Sequence, residues 1–423
     1  MKKFFTSLVI LTLSGILVSA AKPTAAARWV QTAETKDNSE WKTGAALHAT
    51  EGKGICSFVG AHPTLGFKGN SVTVANFDEG DYFLFSLKVG KLPKRSQVDF
   101  AVTMLVIDSG APEKWVCEIL DGKKWRSDDK AESFTVKHYD KIGNPSTYMH
   151  SFTLKKPCKG EVKVRVRCMD ASVNPETFVA FYDKPWISAY LAAYDKPAHD
   201  VTKAVLLGNS FTFFGGSYIA LHEIAMSQGH RIDMNINLKG GQTFGQHLKL
   251  ERSMQAVDAG GYQVALLQNL SRSASMYATD REKNADILRD AVTLAERVRA
   301  ASPECRVILE RTWAFLSKQG NWLGFGNAEA FDNALSTGAR EIAAAMGADL
   351  SPIGEAFAIG REMGLKLYSA DNFHQNFLGS YLKACVNYLV LFGEPFTSEV
   401  SDFWIPAEEA AKCRDIASKV VLK

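Results

Sequence analysis

The chain has 423 residues, with 49 Lys and Arg set against 46 Asp and Glu for a net charge of +3. So even a balance excludes the electrostatic footprint of a nucleic-acid binder or of a protein held on an anionic membrane. The length exceeds one ordinary domain, so two domains are expected.

The chain opens with Met1-Lys2-Lys3, an apolar core from Phe4 to about Val18, and Ser19-Ala20-Ala21. That layout predicts a Sec-type signal peptide and export to the periplasm or the medium. The run is short for a membrane span and has no stop signal, and no cysteine near it offers a lipid anchor. The cut falls after Ala20 or within Ala25-Ala26-Ala27, so residues 1–27 are assigned to the leader.

Residues 28–195 read as β structure. Glu161 to Arg167 alternates strictly, as a half-buried strand does, and further strands are expected at Ser71–Phe77, Tyr82–Val89, Gln97–Ile107, Lys114–Leu120, Ser133–His138, His150–Leu154 and Thr177–Phe181. Many short strands with frequent turn signals predict an antiparallel, jelly-roll-like sandwich. Trp41, Trp115 and Trp125 could face sugar rings there, but core duty is the commoner use of a sandwich Trp. The aperiodic stretch from Asp195 to Val201 reads as a linker, assigned to residues 196–202.

From residue 203 to 423 the period changes. Apolar strands at Ala204–Leu207, Ile232–Leu238, Val264–Gln268, Arg306–Glu310 and Ala348–Ser351 alternate with helices near Ser217–Gln228, Arg281–Ala301, Ala328–Met346, Ile353–Met363 and Leu378–Phe392. This alternation predicts a parallel sheet with helices on both faces, a three-layer α/β/α unit. Seven cysteines show no zinc spacing; a Cys158–Cys168 bridge is one pairing the sequence permits. No metal or cofactor is called for.

Ser210 ends the first of these strands, where α/β folds place ligand sites and backbone N–H groups face an incoming oxyanion. A nucleophilic serine needs a base and a group to orient it. Of nine histidines, five lie in the β-rich half or the linker, His222 and His230 belong to the first helix region, and His247 is a weaker alternative. Asp371-Asn-Phe-His374, just before a helix, can put acid and imidazole on one side. Oxyanion donors are sought in Gly240-Gly241 and at Gln268-Asn269, both after strands.

These elements, in this order, resemble the SGNH (GDSL-like) hydrolases, whose four blocks supply Ser, Gly, Asn and His. The match runs through Gly208-Asn209-Ser210, Gly240-Gly241, Gln268-Asn269 and Asp371 to His374. It is narrower toward a secreted bacterial branch whose first block reads Gly-Asn-Ser-Phe-Thr, found here as Gly208 to Thr212. Arg311-Thr-Trp-Ala314, Pro352-Ile-Gly-Glu-Ala356 and Gly379 to Cys385 are similar too. Asn209 stands where Asp is commoner, the third block lacks a clean Gly-x-Asn-Asp, and Gln375-Asn376 replaces a frequent Pro-Ser.

The resemblance implies an ester hydrolase with Ser210, His374 and Asp371 as its triad. The Ser210 and Gly241 amides and Asn269 (or Gly240 and Gln268) would form its oxyanion hole. Export and an attached β domain point to O-acetyl groups on a polysaccharide or glycan as substrate, with Trp322 and Phe325 as a sugar platform. A lipase or thioesterase, and a glycan-binding protein with an idle site, are the rival readings.

Overall fold

Period-two alternation does build antiparallel sheet in the first half of the chain. The computed structural model describes residues 22–30, 41, 44–68, 71–106, 110–127, 133–136, 146–181, 187–198, 200–316 and 324–422. The leader up to Ala21 and Trp322 lie outside these. One sheet of eight strands runs in the order Glu51–Gly52, Ala25–Val30, Ile187–Tyr194, Gln97–Val106, Phe178–Phe181, Ser71–Ala75 and Thr64–Lys68, with Ser146–Thr153 also paired to Gln97–Val106. A second, of seven, runs Lys124–Ser127, Lys114–Asp121, Cys158–Cys168, Tyr82–Leu92, Gly54–Val59 and Leu47–His48, with Phe134–Thr135 against Lys114–Asp121.

Trp29, Phe100 and Leu191 of the first sheet meet Phe83, Phe85 and Trp115 of the second in one core. Trp41 and Trp115 are buried in it, whereas Trp125 is half-buried under the Arg165 guanidinium, 4.4 Å from its ring centre. Three sequence expectations change. Ala25–Ala27 form the first half of a strand paired with Ile187–Tyr194, so a cut there would remove half of a sheet element. The next strand after Tyr194 begins at Asp200, inside the stretch read as linker. Cys158 and Cys168 sit at opposite ends of one extended strand, roughly 33 Å apart at 3.3 Å per residue, and all seven cysteines are free.

Five parallel strands follow: β1 (Asp200–Gly208), β2 (His230–Leu238), β3 (Val264–Leu267), β4 (Arg306–Glu310) and β5 (Asp349–Ser351). Their order is β2-β1-β3-β4-β5. The helices are α1 (Ser210–Phe213), α2 (Ser217–Ser227), α3 (Phe244–His247), α4 (Glu251–Ala259), α5 (Ser273–Thr279), α6 (Ala285–Ala301), α7 (Ala328–Met346), α8 (Ile353–Glu362), α9 (Phe377–Phe392) and α10 (Ala407–Val421). Polar side chains set several of the starts: Asn327 caps α7 through the Ala330 amide, and Asn376 caps α9 through the Gly379 amide. This strand order reverses direction beside β1, and the crevice between the carboxyl ends of β1 and β3 is where such sheets bind ligands.

The antiparallel and parallel parts share a core. Every residue of α2 is buried. Along the strand Gln97–Val106 the even-numbered side chains enter the core between the two antiparallel sheets, while Ala101 and Leu105 belong to the core around α2. The polar odd-numbered positions meet α2 as well. Asp99 accepts a 2.8 Å hydrogen bond from His222, Gln97 reaches Met226, and the Tyr218 hydroxyl bonds Thr103 and Thr147. Beside them, Tyr190 donates to Glu223 at 2.6 Å.

Candidate functional site

Ser210 starts α1, directly after β1 and at the switch point of the sheet; its side chain is half-buried. Asn209 caps this helix, its Oδ1 accepting from the Phe211 amide at 3.1 Å. The Thr212 amide bonds Asn209 O, and the Asn209 amide itself bonds Gln268 Oε1. The Ser210 N–H is thereby left without an acceptor among the described residues, at the positive end of the turn.

Asn209 is also where three loops meet. Its Nδ2 donates to Gln242 O at 2.9 Å and to Asn269 O at 3.2 Å, which ties the Gly240-Gly241 turn after β2 and the segment after β3 to the serine. An aspartate carboxylate could accept from Phe211 but could not donate to either carbonyl. Gly241 takes φ +68, a conformation that favours glycine, and it is exposed.

The two amides at the end of β3 have different duties. Gln268 is buried, its Oε1 accepting from Asn209 N and Thr212 Oγ1 and its Nε2 donating to Asn269 O. Both ends of that amide are engaged inside the protein. Asn269 Oδ1 accepts from the Phe244 amide at 3.0 Å and the Leu270 amide at 2.8 Å, so its Nδ2 lies on the opposite side of the group as the remaining donor.

The loop before α9 holds the other pair. Asp371 Oδ1 accepts from the Phe373 and His374 amides, and Oδ2 accepts from His374 Nδ1 at 2.7 Å. Asn372 sits at φ +54 within this tight turn. Burial alone would raise the Asp371 pKa, but the His374 hydrogen bond and the two amides outweigh it and hold the carboxyl below its usual range. An ionised Asp371 on Nδ1 makes that nitrogen the donor and leaves Nε2 as the basic one.

The His374 ring lies flat on Phe214 at 4.0 Å between centres, with Phe211 at 5.6 Å and Phe373 at 4.7 Å meeting it edge-on. Phe211 is itself stacked on Trp313 at 4.3 Å, and Trp313 on Phe357 at 4.2 Å. The imidazole is thus packed against the turn that begins at Ser210. The structure brings Ser210, Asn269, the Gly241 turn, Asp371 and His374 to one end of the sheet.

The other histidines do different work. His222 is the buried partner of Asp99, His230 stacks on Phe392 at 4.2 Å, and His247 bonds Ser253 Oγ and Gly208 O behind the site. Phe325 stacks on Phe331 of α7 at 5.4 Å, so it packs against that helix.

Sequence reasoning missed what stands behind the serine. Lys383 and Glu310, each 1 % exposed at the side chain, form a 2.6 Å ion pair. The available signals were a lysine inside the apolar helix α9 and a glutamate closing the apolar strand β4. Among the described residues no cluster of three or more His, Cys, Asp or Glu could hold a metal ion. No described helix is long and apolar enough to cross a membrane. A separate cleft of about 940 Å³ lies between β2 and the strands Lys124–Ser127 and Ser146–Thr153, and none of the five residues gathered at the sheet end lines it.

No family model matches the chain, and no curated protein does. Among solved structures it is similar to a DUF4886 family protein from Bacteroides uniformis, at 18 % identity and TM-score 0.46 over 53 % of this chain and 95 % of that one. It is also similar to a lipase/acylhydrolase from Enterococcus faecalis, at 18 % identity and TM-score 0.36 over 45 % of this chain and 96 % of that one. A third likeness is to a carbohydrate esterase family 2 enzyme with a carbohydrate binding domain from Corynascus thermopiles, at 10 % identity and TM-score 0.34 over 80 % of this chain and all, 100 %, of that one.

Proposed function

We propose that the chain is an exported serine ester hydrolase of the SGNH type that removes O-acetyl groups from a polysaccharide or glycan. The observation that carries this reading is the packing of the Asp371-bonded His374 ring onto the turn that starts at Ser210, at the switch point of the sheet. In the reaction, His374 Nε2 takes the Ser210 proton as Oγ attacks the ester carbonyl, then returns it to the leaving sugar hydroxyl. Water repeats the cycle on the acyl-serine and frees acetate. Asp371 holds the tautomer and stabilises the imidazolium. The Ser210 N–H, the Gly241 N–H and Asn269 Nδ2 receive the oxyanion.

Support for a glycan comes from the separate cleft. Its lining includes Asn235, Asn237, Gln255, Arg252 and Tyr262, polar side chains of the kind that suit a hydroxyl-rich chain. The test is acetate release from acetylated xylan, pectin and host glycans, measured beside cleavage of long-chain acyl esters. Ser210→Ala should lower acetate release by about 10³-fold or more with the fold intact. Preference for long acyl chains would move the reading to a lipase. Glycan binding without ester cleavage would make the site idle.

A further inference from the structure

We propose that Lys383 and Gln375 are positioning residues that fix Ser210 against His374 by holding the backbone carbonyls of the broken turn behind the serine. The inference rests on the reading of Ser210 as nucleophile.

The need for them begins with two glycines. Gly215 and Gly216 take φ +62 and +66, so the right-handed helix that starts at Ser210 stops after one turn. Carbonyls that a continuing helix would satisfy are left facing the protein interior, where an unmade hydrogen bond is expensive. Side chains take them instead. Ser217 Oγ donates to Thr212 O at 2.7 Å, within the same segment. The others are reached from α9 and its approach. Lys383 Nζ donates to Phe211 O at 3.0 Å, while Gln375 Nε2 and Ser380 Oγ donate to Phe214 O at 2.8 and 2.9 Å.

Lys383 does more than fill one acceptor. Its ammonium also donates to Thr212 Oγ1 at 3.0 Å and to Glu310 Oε2 at 2.6 Å. Glu310 Oε1 accepts from Asn387, and Asn387 accepts from Ser351. On the far side Thr212 Oγ1 donates to Gln268 Oε1, which also accepts the Asn209 amide. The residues before and after Ser210 are therefore both gripped from one buried network: Asn209 through Gln268, and Phe211 through Lys383. A buried ion pair is a poor source of net stability, because apolar side chains of equal volume would fill the space without the desolvation cost. Directionality is what it adds here.

Gln375 acts from the other partner. It follows His374 directly, is fully buried, and its bond to Phe214 O ties the loop of the base to the turn of the nucleophile. Its own Oε1 has no partner among the described residues, an energetic penalty tolerated for the sake of the donor.

The experiment compares the parent with Gln375→Met and with the doubly substituted Lys383→Met, Glu310→Gln, which removes both charges together so that neither is stranded. Each is assayed for kcat and KM on p-nitrophenyl acetate and for the rate of Ser210 phosphonylation by a fluorophosphonate, in which Oγ bonds phosphorus and fluoride leaves. The expected result is a fall of about 10- to 100-fold in both kcat and labelling rate, with KM within about twofold and an unchanged circular dichroism spectrum. Should the paired substitution fail to fold, Gln375→Met decides alone. Folded variants that label and turn over at the parent rate overturn the positioning role while leaving the nucleophile in place. A parent enzyme not labelled at Ser210 removes the proposed function, and this inference with it.

Discussion

Asn269 and Gln268 are chemically near-identical neighbours, and their surroundings separate them. Asn269 has an amide nitrogen left over once its oxygen has taken two backbone N–H groups, whereas Gln268 is engaged at both ends. Asn269→Ala is therefore expected to lower kcat by about 10²- to 10³-fold with little change in KM. Gln268→Ala should show itself first as lost stability, by about 1–3 kcal/mol in urea unfolding, because it strands buried donors. Equal kcat losses in two equally stable variants would contradict this division. His247 supplies a prediction about acid. Burial lowers its pKa to about 4, and that of His150 likewise. In the unfolded chain both would titrate near the ordinary value of about 6.5, so the unfolded state binds more protons between those limits. Stability from these rings is complete above about pH 6.5 and drains away as pH falls toward 4. Melting curves across that window should show a shallower slope for His247→Gln than for the parent.

At the scale of elements, the one-turn helix α1 is the decisive piece, and its sequence conceals why it stops. Gly215-Gly216 can be read as a break, but the Lys383, Ser380 and Gln375 donors that make the break tolerable lie some 160 to 170 residues away. A Cβ on Gly215 would fall 2.3 Å from Ser380 Oγ and 2.9 Å from Asn376 O, besides occupying a positive φ. Gly215→Ala should thus cost about 1–3 kcal/mol and loosen the base loop, read as a lower melting temperature together with reduced kcat. The parallel strands, by contrast, were legible, since an apolar run bounded by glycine or polar residues has few other uses. Ser210 was legible as a candidate because it follows an apolar strand, and Asp371 and His374 because an acid and an imidazole three residues apart stand just before a helix. The strand Gln97–Val106 misleads, because its polar positions suggest a wet face. They are buried, and α2 supplies the polar partners that make this possible.

The whole molecule is stitched through that same helix. Asp99 of the antiparallel part and His222 of α2 are both fully buried, and burial, which would raise the Asp99 pKa, is outweighed by His222, Gln97 and Ser151, so the carboxyl sits below its usual value. Asp99→Ala leaves His222 stranded and should cost about 3–5 kcal/mol, measured by urea unfolding followed at both the tryptophans and the far ultraviolet. The two signals are expected to move together, since the parts share a core; separate transitions would refute that coupling.

A helix enclosed on all sides also restricts how this protein can meet a long chain. The core its two halves share among the described residues opposes swinging one half over the other to clasp a polymer. On the proposed function, a strand of substrate would thread past a fixed rim, presenting its acyl groups one after another to Ser210.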